Sequence, residues 1–592
     1  MSGVIPRATH CRLNKKGANS RVFCPWIDLG LILLCAVLAG LTFFSHLGNI
    51  PLFNPDEGLY AEPAREMLDT GQYITTLLNY TVRFTKPPLI IWAMALSYKI
   101  FGVNEFAARF FCASSGFLLT LVAYLFAWKY LGRGTAIIAA CILITAPLFV
   151  GVGHMAITDM PLSFFIAGCL FSFFHAWQQK KRFWLWAGYV LAGLAVMTKG
   201  PVGVILPGLI LTSYFILCTY GKGVMSFLHI RLGSLVVAAI ALPWFVIEIA
   251  ITHGAYFREF ILRENLARFT SVVDAHKGHW WYHLAAVFGG LFPWSIILPQ
   301  AMGTIVRTIV GNTVVDNVQP AVRDFKPWLG QSKKIVLRTM ESCRHLTLPN
   351  ETLLFMLLWS VSTILFFSAS VSKLLPYTLP AFPALAIIIA YQWQIFMQNN
   401  RSQGMAAYCA IIFCLFAGVG FSAPAAFKYL RNAPPDLASL LSLSASILSG
   451  FFLLALFFAV GKRRTLASFV LFGASIVFAL IVTPKILSQV SQFWEGSVVD
   501  YARFAHHARQ PLIIYRLRKP AMPFYFGARV FQASNKEELK VRLSLPGQCY
   551  LITNCKDIDF LQAVGCKIIA ADGNFALLLS PDKRNGYSLI EN

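Results

Sequence analysis

The chain has 592 residues, of which 57% are hydrophobic and only 13% charged, with thirteen cysteines and a formal net charge of +24. A soluble domain carries about twice that charged fraction, and repeated apolar runs of about 20 residues describe a polytopic α-helical membrane protein instead. The positive charge then belongs to cytoplasmic loops facing anionic lipid, which removes nucleic-acid binding as the reason for it.

The first 25 residues carry five Lys/Arg and no acid. The apolar run at 26–47 is long and lacks a small-residue cleavage site, so it reads as a retained first span behind a basic cytoplasmic tail. The stretch Asn54–Pro88 then breaks the hydrophobic rhythm for more than thirty residues. It holds adjacent acids, Asp56 and Glu57, further acids at helical spacing, Glu62, Glu66 and Asp69, and Lys86 just before Pro87-Pro88. Carboxylates beside a membrane segment point to a functional site; the plain alternative is a solvated hairpin between two helices. A short apolar piece follows at 87–103. Further runs lie at about 106–128, 134–152, 158–178, 183–198, 200–220, 231–250, 283–304, 351–370, 375–397, 405–425, 437–460 and 465–486.

Piece 87–103 decides the topology. If it crosses the bilayer, the basic turns Lys129/Arg133 and Lys180–Arg182 fall outside. If it lies in the interface, those turns, Lys222/Arg231, the basic loop 305–350, Arg401 and Lys462–Arg464 share a side with the basic tail. The second choice satisfies the positive-inside bias at every turn. The piece is also short for a span and carries Lys99 near its end. This reading gives 13 spans, an inside N-terminus and an outside C-terminus. Outer-face loops then lie at 48–105 and 251–282, in a transmembrane region 26–487. Loop 305–350 reads as a solvated cytoplasmic linker.

From about 488 the chain turns soluble. QPLIIYRL, QCYLITN, CKIIAA and NFALLLS read as strands, and NKEELKVRL and KDIDFLQAVG as helices, giving a small external α/β domain over 488–592. Its three cysteines, Cys549, Cys555 and Cys566, allow at most one internal disulfide. Cysteines within the apolar spans behave as small hydrophobes, and no Cys/His metal spacing appears.

With that topology, charged groups gather at the outer ends of spans. Asp56, Glu57 and Lys86 lie in the first outer loop, Asp159 opens the span at 158–178, and Lys199 sits in the tight turn TKGP. Arg258, Arg263, Glu264 and Arg268 lie in loop 251–282, and Lys373 and Tyr377 in SKLLPY. A single Lys in such a turn is often only a snorkelling anchor. Several cations beside the outer leaflet, facing carboxylates, suit a ligand with an anionic phosphate and a reacting hydroxyl or acid.

The run DEGLYAEPAREML, GQYITTLLNY, RFTKPPLIIWAMAL and FGVNEFAAR resembles the first outer loop of the lipid-carrier-dependent glycosyltransferases (GT-C fold). These include the aminoarabinose transferases of lipid A and, more distantly, the protein O-mannosyltransferases. The resemblance continues through ITDMPLSFF, TKGPVG, RENLARF, HKGHWWYH, LFPW and SKLLPYTLPAFPALA, covers most of 26–395 and is weak over 396–592. It implies about 13 transmembrane helices, an external C-terminal domain, and inverting sugar transfer from a polyprenyl phosphate to lipid A or another envelope glycan at the periplasmic face of a bacterial inner membrane. By the same resemblance Asp56 orients or deprotonates the acceptor, Glu57 stands beside it and Asp159 is a second acid. Lys86, Lys199, Arg268 and Tyr377 meet the carrier phosphate.

Two positions depart from the family. Where the aminoarabinose transferases carry a metal-contacting Glu and His, this chain has Thr85 and Asn265. A hydroxyl and an amide make a poor zinc site, although Asp56, Glu57 and Asp159 suit a harder cation bound through oxygen. The departures loosen the identity of sugar and acceptor. A protein O-glycosyltransferase of the same fold is the nearest alternative. A lipid-linked-substrate transporter or flippase would place ionisable residues near the midplane in repeated halves, and no repeat is present. A pyrophosphate-using polymerase or ligase is disfavoured by the DE…KPP and TKGP motifs. The topology is testable by fusing alkaline phosphatase after Lys485 and after Arg133: activity is expected only at the first, and the reverse pattern contradicts the model.

Overall fold

The computed structural model describes residues 25–84, 86–219, 224–267, 278–314, 346–398, 403–428, 435–544 and 547–582. The first long apolar helix is α1 (Pro25–Phe44). The opening loop behind it contains α2 (Gly58–Thr70), a hairpin of β1 (Leu77–Leu78) and β2 (Thr81–Val82), and α3 (Leu89–Phe101). Gly71 ends α2 in the left-handed conformation, its N–H returning to the Met67 carbonyl. Two of the three acids of α2, Glu62 and Glu66, are not solvated. Glu62, Arg65 and Glu66 are buried, Arg65 forks onto Glu62 at 2.6 and 2.8 Å and also reaches Asp69, and Glu66 receives the Tyr80 N–H at 3.1 Å. This rules out the solvated hairpin, because each buried carboxylate has a local donor that replaces water.

Helix α3 is 13 residues long, about 20 Å at 1.5 Å per residue, against roughly 30 Å for a bilayer core. Ile90, Met94 and Tyr98 face the protein, while Leu96 and Ile100 are exposed. An apolar outward stripe on a helix too short to cross supports a position along the membrane interface. Asn104 caps α4 (Glu105–Tyr130), its Oδ1 accepting the Ala107 N–H at 2.9 Å.

Two runs expected to be straight are broken. The run at 134–152 is α5 (Arg133–Thr145) and α6 (Pro147–Gly153), bent by 65° at Ala146, which takes extended backbone because a proline follows it. The run at 283–304 divides into Tyr282–Gly290 and Trp294–Ile309, bent by 116° around Pro293. Next in chain order come α7 (Asp159–Gln179), α8 (Arg182–Lys199) and α9 (Val202–Thr219). Among the described residues nine helices are long and apolar enough to cross a membrane, or eleven if each bent pair is one crossing. The expected thirteen also requires α8 and α9. The chain is a multi-pass membrane protein whose largest hydrophobic core fully buries Trp294, Trp359 and Trp393; smaller clusters lie in the C-terminal sheet and around Trp244 and Tyr256.

The final long helix runs unbroken over Arg464–His507, 44 residues, well past the expected end near 486. Beyond the apolar run it keeps a buried stripe, Val498, Val499, Ala502 and Ala505, at helical spacing. It leads into a five-stranded sheet of order β4-β3-β5-β7-β6, made by β3 (Leu512–Tyr515), β4 (Phe531–Ala533), β5 (Tyr550–Asn554), β6 (Lys567–Ala571) and β7 (Phe575–Leu579). Strand β3 pairs in parallel with β4 and β5, and β7 is antiparallel to β5 and β6. All four expected strands and both helices are present; β4 escaped notice because it has only three residues. Cys549, Cys555 and Cys566 are free thiols. Most of the basic loop, 315–345, lies outside the described residues.

Sheet and opening loop are bonded directly. The Leu52 N–H donates to the Tyr525 hydroxyl at 2.7 Å, and Asn79 exchanges two hydrogen bonds with Val530, at 2.6 and 2.9 Å.

Candidate active site

The turn before α2 separates the two adjacent acids. Glu57 is fully buried and Asp56 exposed. Both Glu57 oxygens are engaged by Arg109 of α4, at 2.8 and 2.7 Å, and they also accept the N–H groups of Phe53 at 2.8 Å and Ala156 at 2.7 Å. Arg109 spends its remaining donors on the carbonyls of Leu47, Ile50 and Pro51. The expectation that Glu57 takes part in chemistry is therefore corrected. A carboxylate with four donors and no solvent exposure has no free lone pair to offer a substrate, and its work is to tie the loop to α4 and to the segment before α7.

A cavity of about 450 Å³ lies beside this loop. It is lined by the polar groups Lys86, Asp159, Lys199, Glu264 and Tyr377 and by apolar side chains such as Leu162, Ile205, Ile261, Phe366 and Pro380. Lys199 Nζ lies 2.6 Å from Asp159 and Lys86 Nζ 2.9 Å from Glu264, each pair largely withdrawn from solvent. The Lys199 ammonium also stands 4.7 Å from the centre of the Tyr377 ring, a cation–π contact worth up to about 2 kcal/mol when desolvated. Tyr60, one helical turn after Asp56, lies in the field of the same groups. Burial raises its hydroxyl above the ordinary tyrosine range, and the charges of Arg83 and Lys199 oppose this.

The helix ends place these groups. Asp159 is the first residue of α7 and Lys199 the last of α8, so each charge sits at the dipole end that favours it. Gly200, at φ +92°, stops α8, and a side chain at Gly203 would meet the Ala195–Val196 backbone at 2.5 Å. The glycines of TKGPVG thus allow the close turn that holds Lys199 at the cavity. Lys373 is different: its Nζ donates to the Ser368 carbonyl at 2.6 Å and the Phe367 carbonyl at 3.3 Å, closing the end of helix Leu348–Ala369.

Four of the expected residues, Lys86, Asp159, Lys199 and Tyr377, thus come together from distant parts of the chain. Thr85 and Arg268 lie outside the described residues, as does the side chain of Asn265. Glu264 was read only as a loop acid, because nothing local shows that its partner is 178 residues away. The carboxylates expected to suit a hard cation have separate partners: Glu57 is held by Arg109 and Asp159 by Lys199. Among the described residues no three His, Cys, Asp or Glu side chains gather as metal ligands. With Glu57 committed to Arg109 and Asp159 to Lys199, and with Thr85 and Asn265 at the two positions where the resemblance implies metal ligands, this donor set fits a resident zinc ion poorly.

A second cavity of about 450 Å³, between α7, α8, α9 and helix Ile230–Ile251, is lined by apolar groups such as Phe173, Leu211 and Phe215 and by no charged side chain.

Residues 85–247 match the family model described as dolichyl-phosphate-mannose-protein mannosyltransferase. An uncharacterised protein of Aquifex aeolicus is 28% identical over 363 residues, 61% of this chain and 63% of that protein. The undecaprenyl phosphate-alpha-4-amino-4-deoxy-L-arabinose arabinosyl transferase of Erwinia tasmaniensis is 29% identical over 367 residues, 61% of this chain and 58% of that enzyme. The chain thus spans less than two thirds of the length of these relatives. Over 94% of the chain it has the fold of ArnT from Cupriavidus metallidurans, solved bound to undecaprenyl phosphate, with a TM-score of 0.72 and 22% identity, the match covering 99% of that chain.

The pairing of the cavity charges is testable. Lys86→Met and Glu264→Met should each lower the apparent melting temperature of the detergent-purified protein, because either leaves a buried charge without its partner. The double variant should lose less than the sum of the two; strictly additive losses contradict the pairing.

Proposed function

We propose that this chain, related in sequence and fold to the lipid-carrier-dependent glycosyltransferases, moves a sugar from a polyprenyl-phosphate donor to an acceptor with inversion at the anomeric carbon. The observation that carries the reading is the cavity itself, with two lysines in the lining of a largely apolar trough. That combination suits a ligand with one anionic head and a long hydrocarbon tail. In the reaction, the acceptor oxygen attacks the anomeric carbon and the carbon–oxygen bond to phosphate breaks. The bonding pair leaves with the phosphate, and the acceptor proton passes to a base. Charge growing on the phosphate is stabilised by Lys86 and Lys199, and by Arg268 if it reaches the same place, while Tyr377 and the Lys199 ammonium hold each other.

Asp56 takes the acceptor role. It is the exposed member of the acid pair on a turn whose neighbours are fixed, and the helix it precedes carries Tyr60 into the field of Lys199 and Asp159. Asp159 serves as counter-ion to Lys199 until the carrier phosphate competes for that ammonium. The donor set favours transfer without zinc. Lipid A or another envelope glycan is the acceptor suggested by the arabinosyl transferases. A serine or threonine of a protein is the second reading, favoured by the match of 85–247 to the mannosyltransferase model. We place the N-terminus in the cytoplasm of a bacterium, and Asp56 and the C-terminal sheet in the periplasm, because that parity puts Lys129/Arg133, Lys180–Arg182, Lys222/Arg231, the loop 305–350, Arg401 and Lys462–Arg464 inside.

Asp56→Asn keeps the shape of the side chain and removes its basicity. Folded, purified Asp56→Asn protein should lose at least about a hundredfold in transfer from a polyprenyl-phosphate sugar, the range of a general base or a preorganised charge. Near-normal turnover contradicts the role given to Asp56.

A further inference from the structure

The exposed acid at Asp56 stands on a turn that the far end of the chain holds in place. Two residues before it, the side-chain amide of Asn54 donates to Glu495 Oε2 at 2.8 Å, and the Asn54 backbone N–H approaches Oε1 of the same carboxylate at 3.3 Å. The side-chain Oδ1 of Asn54 accepts the backbone N–H of Ala521 at 2.8 Å. Glu495 is in turn held by Lys519, whose Nζ donates to Oε2 at 2.8 Å and to the Trp494 carbonyl at 3.2 Å. Glu495 is buried and its side chain is 4% exposed against 12% for Lys519. Two residues after Asp56 there is no room for a side chain, since a Cβ on Gly58 would lie 2.4 Å from the Ala521 nitrogen. The backbone of Ala521 therefore touches the turn on both sides of the acid.

From this geometry we infer that Asn54, Glu495 and Lys519 form a positioning latch, through which the last long helix, at Glu495, and the connection between β3 and β4, at Lys519 and Ala521, set the place of Asp56. The latch rests on the reading of Asp56 as the acceptor-orienting acid. Its physical basis is the difference between tying a turn at one end and at both. Glu57 and Arg109 fix the side of the turn that faces the membrane helices, and Asn54 fixes the other to the C-terminal segment. A carboxylate between two anchors holds one direction without further ordering when the acceptor arrives, and a displacement of about 1 Å at a reacting group is worth up to a hundredfold in rate. No latch residue is among those lining the cavity, so their contribution is to turnover and not to donor binding.

The experiment uses the full-length purified protein, with kcat for transfer from polyprenyl-phosphate sugar and binding of unsubstituted polyprenyl phosphate measured separately. Asn54→Asp sets two carboxylates against each other. It should lower kcat about tenfold or more, with polyprenyl-phosphate affinity within about twofold of wild type. Lys519→Met, which leaves Glu495 without its cation, should do the same more mildly. The exchange Asn54→Asp with Glu495→Gln rebuilds the pair with donor and acceptor reversed, and should restore most of kcat. Parallel loss of kcat, donor affinity and melting temperature without rescue by the exchange overturns the latch, leaving only a structural contact. Wild-type kcat in Asn54→Asp beside an inactive Asp56→Asn overturns the latch alone. Wild-type kcat in Asp56→Asn overturns both the latch and the role of Asp56.

Discussion

An ammonium group at the end of an apolar cavity is stable only with a counter-charge against it. In this protein Lys86 has Glu264 and Lys199 has Asp159, so the polar lining of the cavity is close to neutral when empty of ligand. In the proposed function, a phosphate head group entering there competes with Asp159 and Glu264 for the two ammonium groups. A neutral lipid offers those ammonium groups no anion to exchange.

The opening loop uses its two adjacent acids differently. Side by side and equally solvated, Asp56 and Glu57 would repel each other and raise the affinity of both for protons. Arg109 cancels one of them. With Glu57 paired and buried, Asp56 is the exposed acid of a turn fixed to α4 on one side and to the C-terminal segment on the other. The C-terminal sheet region, remote in sequence from every motif in the first 395 residues, is in this way tied to the turn that carries Asp56.

The order of charged motifs along the chain was enough to bring Lys86, Asp159, Lys199 and Tyr377 to one face, because positive-inside bias sorts the ends of the spans. Glu57 was misread because the side chain that neutralises it, Arg109, looks in the sequence like one more basic residue after a cap; only the fold shows it turned inward. Glu264 was passed over for the same reason, its partner lying far away in the chain. The breaks at Ala146 and Pro293 are local proline effects and were legible in principle, but an apolar run conceals a bend that leaves hydropathy unchanged. The extension of the last helix to His507 was missed because its buried stripe is short and its other face polar, so composition alone announced a soluble segment too early. The small sheet was readable from four alternating apolar runs, and its three-residue edge strand was not.

The central claim is that the cavity beside the opening loop holds the phosphate of a polyprenyl carrier. Native mass spectrometry of the detergent-purified chain with undecaprenyl phosphate, using undecaprenol as the control lacking phosphate, tests it most directly. One phosphate-bearing lipid per chain is expected, with little retention of undecaprenol and about tenfold weaker binding or worse in the Lys86→Ala, Lys199→Ala double variant, since two charge-assisted contacts are lost. Equal retention of the two lipids, or unchanged binding in the double variant, would contradict it.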